Sequence, residues 1–569
     1  MKQKLLIGVY ILMTAPLFSQ NGFLELNLNK HAMRNIMSPG QNRISLDIFK
    51  VIERAEKDKN IGGILLNISS CSLGQEALWE LRIALEKFRA TGKKVLAFIS
   101  NVGMDLYCLA TVADKIIMDD QGILMMPGYV WGRPFVKQGL EKLGIGVREL
   151  RYFEYKSAAE TYTRESLSDA DRLQYGEILD EVMSVTFEAI TKARSLTSDE
   201  LNAIIDNEFM FSARSALERG LVDYTGRKET VMQTAKELYG GKKKINFYLY
   251  GEAASSLSGS KKTYTPLRSG GFLSRPPIVA VIYVKGVTDM EHGIAAWNLS
   301  NLIKELSEIN RVKALVLRVN SPGGSAEAAD YVNEAIIKAK ERIPVVVSMG
   351  SVAASGGYWM SMSANHITAS PYTLTGSIGV IGSWFFDNGL NNKLGLTTDL
   401  IQRGNHADMT AGIIFPARDL KPLEEERYKE YILDLYADFT SRVAKSRNMD
   451  IEQVEAIAQG RVYSGIGAYK AGLVDSIGGL NDAINTARKL ANIPEKKKVL
   501  YDVYPKPKFM NRMISRLLRS QSYINDSLIV PILPPIAAHL LEEIKYRITN
   551  NGRVMPILPI DSGFGHTGD

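Results

Sequence analysis

Cysteine is nearly missing from this chain: 569 residues hold only Cys71 and Cys108. Two thiols cannot build a disulfide scaffold or a metal cage, which leaves one bridge or two buried thiols. The six histidines fall at no metal-ligand spacing, so no metal is expected. There is no P-loop and no dinucleotide-binding glycine pattern, so no cofactor is expected either. A large charge of one sign is also missing. The 69 basic and 62 acidic residues leave a net +7, too slight at this length to argue for nucleic acid. No segment reaches the roughly 18 apolar residues that a membrane span needs.

What is there begins with a leader-like segment. Lys2 and Lys4 precede the apolar run Leu5–Phe18, which contains Pro16 and ends at Ser19-Gln20. Residues 1–20 read as a signal peptide or an uncleaved N-terminal anchor, and the chain as exported. The remainder, 45% hydrophobic overall, can build two domains with sizeable cores.

Two stretches carry the candidate chemistry. Pro344–Met349 is a short β-branched run typical of a buried strand, and small residues follow it to Ser355-Gly356-Gly357. Those residues open a helix through Tyr358, Trp359 and Met360. A serine at a tight strand-to-helix turn exposes its hydroxyl, although the same composition also serves plain close packing. Lys313–Val319 is a second buried strand, and it runs into Asn320-Ser321-Pro322-Gly323-Gly324-Ser325 and then a helical pattern. A Pro-Gly-Gly turn brings bare backbone amides close to a ligand, as an oxyanion hole requires. Neighbouring strand ends in an open α/β sheet are where such sites sit.

The chain is also duplicated. Ile61–Ile68 lies 251 positions before Val312–Val319, and Ala113–Ile116 and Lys142–Ile145 match Ala364–Ile367 and Lys393–Leu396 at the same offset. Gly220–Asp223 matches Gly472–Asp475 at an offset of 252, and Lys242–Ile245 matches Lys496–Val499 at 254. Each copy alternates strands with helical stretches, the pattern of an α/β domain with βαβ crossovers. The expected organisation is a first domain over 21–252, a Ser/Gly/Lys-rich linker over 253–277, a second domain over 278–504 and an extension over 505–569. The copies differ where chemistry would sit. Ser355 falls on Met104, Gly356 on Asp105, and Gly323-Gly324 on Ser72-Leu73.

The motifs NSPGGS (Asn320–Ser325), SVAASGGYW (Ser351–Trp359) and TGSIGV (Thr375–Val380) resemble those of the signal peptide peptidase family, also called protease IV, in its long duplicated form. The resemblance covers about Phe23 to Tyr504 and implies two Clp-protease/crotonase-like α/β domains. It implies Ser355 as nucleophile and, through the segment Tyr155-Lys156-Ser157-Ala158, Lys156 of the first copy as general base. It also implies Ser377 as a hydroxyl that orients the lysine amine, and the amides of Gly324 and Gly356 as oxyanion donors. A lysine serves as a base only when its ammonium form is destabilised, as burial in a seam between domains would do. Peptides derived from signal sequences, a homo-tetramer and a place on the periplasmic side of the inner membrane are implied in the same way.

At the same offset Lys156 falls on Ala407, whose neighbour His406 is an alternative base, with Asp408 as a weak candidate carboxylate behind it. Three functions stay open: a Ser–Lys endopeptidase, a crotonase-like acyl-CoA enzyme, and an inactive scaffold of the same fold. The aromatic and apolar set Tyr358, Trp359, Met360, Ile381, Trp384, Phe385 and Phe386 is a candidate apolar groove for an extended peptide. In the extension, Phe509, Met510, Met513, Ile514, Leu517 and Leu518 form a helical stripe flanked by Lys508, Arg512, Arg516 and Arg519. That stripe suits either a membrane surface or packing against the protein itself.

Overall fold

The computed structural model describes residues 22–28, 44–68, 71, 73–239, 245–250, 256–260, 262, 264 and 276–506. The leader and the apolar stripe of the extension lie outside these residues. The described chain forms two α/β domains, each organised on a mainly parallel sheet.

The first sheet contains β1 (Gly22–Asn27), β2 (Ile61–Ile68), β3 (Lys94–Val102), β4 (Lys115–Met125), β6 (Met210–Ser212), β7 (Tyr224–Thr225) and β8 (Asn246–Tyr250). Its order is β6-β4-β3-β2-β1-β8, with β7 also on β4. The second contains β9 (Ile278–Lys285), β10 (Val312–Ser321), β11 (Val345–Ala354), β12 (His366–Ala369), β13 (Leu374–Gly376), β15 (Val462–Tyr463), β16 (Ser476–Ile477) and β17 (Leu500–Tyr504). Its order is β15-β13-β11-β10-β9-β17, with β12 joining β11 to β16. Strand for strand this is one topology used twice. The central strands are buried along nearly their whole length, as helices on both faces of a parallel sheet require.

Side-chain contacts repeat along with the topology. The Tyr107 hydroxyl donates to the Leu221 carbonyl, and that of Tyr358 donates to Leu473. Asp223 accepts the Ile116 amide and pairs with Arg194, just as Asp475 accepts the Ile367 amide and pairs with Arg447. Gly144 and Gly395 both end a helix in the left-handed region, where glycine carries no steric penalty.

The copies are joined tightly. β5 (Ile145–Leu150) of the first pairs antiparallel with β14 (Gly382–Asp387) of the second. Helix α1 (Gln75–Ala90) brings Glu80 to a buried ion pair with Arg318 on β10, 2.6 Å apart. Within the segment read as a linker, Ser256, Leu257 and Ser258 donate to the buried Glu25 of β1. Cys71 and Cys108 are free thiols, and burial pushes each up to about 11, which leaves them protonated and inert at neutral pH.

Candidate active site

Strand β11 runs five residues further than its β-branched run announces, through Gly350-Ser351-Val352-Ala353-Ala354. The β10–β11 register shifts between Val319 and Ser321, and the Asn320 carboxamide oxygen bridges the irregularity by accepting the Val352 amide and the Ser351 hydroxyl. The extension delivers Ser355 to the strand end, immediately before the short helix α2 (Gly356–Ser361). Ser355 has φ 58° and ψ −116°, a sparsely populated conformation for a residue with a Cβ. The β13 backbone helps to hold it there, because the Ser355 amide donates to Gly376 at 2.8 Å.

The glycine turn is clamped by a residue that the sequence pattern does not flag. Thr288 donates its amide to the Gly323 carbonyl and accepts the Ser325 amide, while its hydroxyl meets Ser321. A Cβ on Gly324 would lie 2.2 Å from the Thr288 carbonyl oxygen, so only glycine fits. Among the described residues, no hydrogen bond is made by the amide of Gly324 or of Gly356. Both are open to an incoming oxyanion.

Lys156 comes from the first copy and is fully buried. Its Nζ lies 2.7 Å from Ser355 Oγ, 2.8 Å from Ser377 Oγ and 2.9 Å from the Ser377 carbonyl. Burial alone drives its pKa well below the usual lysine value, with no carboxylate to oppose it. Neutral Lys156 has two N–H donors, which the two Ser377 oxygens can accept. That leaves the single lone pair for the Ser355 hydroxyl.

Several residues that seat the lysine escape motif reading. Tyr155 donates its amide to Gln459, Gly460 donates to Ile378, and Ser377 donates to Arg461. Gly460 has φ 83°, and a Cβ there would sit 2.6 Å from Lys156 Cβ. Buried Gln174 donates to the Tyr155 carbonyl and accepts the Val462 amide, bridging the copies. Arg133 donates to the Ser157 carbonyl and is itself paired with Asp171 in a fully buried cluster. Gln459, Gly460, Arg461, Gln174 and Arg133 have no local signature, because each acts on a segment distant in the sequence.

Two expectations are not met. His406 does not serve Ser355: its Nδ1 meets Glu424 Oε1 at 2.7 Å, and Asp408 is taken by Arg418. The supposed apolar groove is core. Tyr358, Trp359, Met360, Ile381, Trp384 and Phe385 are all buried, and Phe386 packs against the same core. Helix α2 turns Trp359 inward against Phe439, and on β14 Phe385 packs against Tyr162 and Phe415.

The Peptidase family S49 model matches residues 87–242 and again 337–494. This chain belongs to peptidase family S49. Both matches fall within the two structural copies, so the duplication is a duplication of the family domain. Among its relatives, "Serine protease SPPA, chloroplastic" from Arabidopsis thaliana is 31% identical over 455 residues, covering 78% of this chain and 65% of that one. "Protease 4" from Salmonella typhi is 33% identical over 468 residues, covering 80% of this chain and 73% of that one. "Putative signal peptide peptidase SppA" from Enterococcus faecium is 38% identical over 207 residues, covering 36% of this chain and 58% of that one. Among the described residues no helix is long and apolar enough to cross a membrane.

Proposed function

We propose that the protein is a serine endopeptidase in which Ser355 is the nucleophile and Lys156 the general base. The observation that carries the reading is the 2.7 Å contact between a fully buried lysine amine and a serine hydroxyl. As Ser355 Oγ attacks a peptide carbonyl, its proton passes to the neutral Lys156 amine. The carbonyl oxygen becomes an oxyanion received by the Gly324 and Gly356 amides. Lys156 then returns the proton to the departing amine, and the amine leaves as the acyl-enzyme forms. A water molecule, deprotonated by the Lys156 amine, attacks the ester, and Lys156 returns that proton to Ser355 Oγ as the acid leaves. Ser377 keeps the amine aimed throughout.

The proposed substrates are apolar unstructured peptides such as signal-peptide remnants, acted on outside the cytoplasm. The name of the Enterococcus relative supports that class. So does the buried position of Ser355, which an extended chain can reach more readily than a folded surface can. The acyl-CoA reading loses ground because such an enzyme needs the glycine-turn amides and has no use for a lysine held on a serine. A fluorophosphonate probe tests the proposal. It is expected to label the wild-type chain at Ser355, and Ser355→Ala is expected to stay folded, take no label and cleave no peptide. Undiminished turnover in folded Ser355→Ala would remove the nucleophile assignment.

A further inference from the structure

The first copy, with Tyr372 of the second, lines a cavity whose counterpart in the twin is filled. The register of the two copies is fixed here by shared contacts: Tyr107 and Tyr358 make the same hydroxyl bond 251 residues apart. Helix α3 (Asp169–Arg194) and helix α4 (Pro422–Arg447) have equal length, and each ends in an arginine that reaches its Gly-Leu turn, at Gly220 and Gly472. In the second copy Trp359 fills the seam. Its ring lies 4.4 Å from that of Phe439, its Nε1 donates to Asp330, and Arg442 covers its face. At the matching positions the first copy has Cys108 for Trp359, Thr186 for Phe439 and Ala189 for Arg442. The indole and the guanidinium are lost together, and a cavity of about 210 Å³ takes their place.

The lining of the cavity indicates an occupant. Trp79, Ile83, Leu109 and Val185 make apolar walls, and Asp105 and Tyr372 supply polar surface. Asp105 Oδ1 accepts from Gln75 Nε2 at 3.0 Å and from the Tyr129 hydroxyl at 2.5 Å. No described residue donates to its Oδ2, and Asp105 has no ion-pair partner among them. The part-buried cation of the lining, Arg82, is already committed to the Cys108 carbonyl, Thr111 and Glu86. Glu188 and Lys192 are exposed at the rim, where water screens them. A part-buried carboxylate with no cation among the described residues, beside apolar walls, suits an ammonium attached to a compact apolar group.

We propose that this cavity binds the free amino terminus of an apolar peptide, with the ammonium on Asp105 and the first side chain between Trp79 and Val185. The volume suits one such side chain, and the open mouth lets the rest of the chain leave. The site is separate from Ser355, so its test does not depend on the peptidase reading.

Titration calorimetry on the full chain with L-leucine amide is expected to give saturable binding at one site. N-acetyl-L-leucine amide, which lacks the charge, should bind about tenfold more weakly or worse. Asp105→Asn should lose a similar factor for leucine amide. Cys108→Trp, which puts the twin's indole into the cavity, should abolish binding. Ala189→Arg should do so too, and it stands in if the tryptophan variant fails to fold. The proposal is overturned by an absence of saturable heat, by equal binding of the acetylated control, or by undiminished binding in a folded cavity-filled variant.

Discussion

The two copies build the same strand-to-helix junction in opposite ways. In the first, Gly103 leaves β3 extended, with φ −92° and ψ −177°, and Met104 packs into the core. In the second, Ser355 stands at the position of Met104, with φ 58° where Met104 has no positive φ, and its hydroxyl is turned toward an amine from the other copy. The fold therefore does not need a strained junction, and strain occurs where the hydroxyl must be presented. The reverse holds for the base: Lys156 sits in the first copy, and the second has Ala407 at that offset. Each copy holds one half of the proposed pair and lacks the other.

The largest test of this division is removal of the base. Lys156→Ala should lower peptidase turnover by about 10²–10⁴-fold, while His406→Ala, whose ring is held by Glu424, should change it by less than about threefold. A ranking in the opposite order would place the whole reaction in the second copy.

Next in size is the seat of the lysine. Gly460→Ala pushes a methyl group against the Lys156 backbone. Misplacing a catalytic group by about 1 Å costs on the order of 10²-fold, so kcat should fall by about that factor with KM little changed. The acid limb of the pH–rate profile should move with it. A variant that raises only KM would show that Gly460 contacts substrate instead of holding the base.

The smallest effect is on stability. The folded pKa of Lys156 is well below its unfolded value, through burial. Between those two values the unfolded chain carries a proton that the folded chain lacks, so folding stability rises with pH across that window and falls on acidification. Lys156→Met lacks that titration, and its urea midpoint should therefore decline less than that of the wild type as pH is lowered from 9 to 6. Parallel declines would mean that the amine stays charged in the folded protein.

The sequence makes the duplication, the alternation of strands and helices, and the Ser355 and Lys156 motifs legible, because each is a local pattern or a repeat at nearly one offset. It misleads about Trp359, Trp384 and Phe385. Apolar residues next to such a motif look the same whether they face a ligand or a core, and only the direction of the six-residue helix α2 and the packing of β14 decide. It is silent about Thr288, Gln174, Arg133 and Gly460, whose roles exist only once distant segments meet. The end of β11 is hidden for a similar reason: small residues announce a turn, and the carboxamide of Asn320 on the next strand keeps them extended.

The antiparallel pairing of β5 with β14 has a consequence for timing. The half of the chain carrying Ser355 is made last, and the amine that meets it hangs from the half made first. On the proposed mechanism, a domain that has folded by itself is inert. Hydrolytic power would arise only when the two halves dock, so a nascent or partly unfolded molecule would spare its own apolar segments and those of its neighbours. The interface would then work as a safety catch, released by the completion of folding.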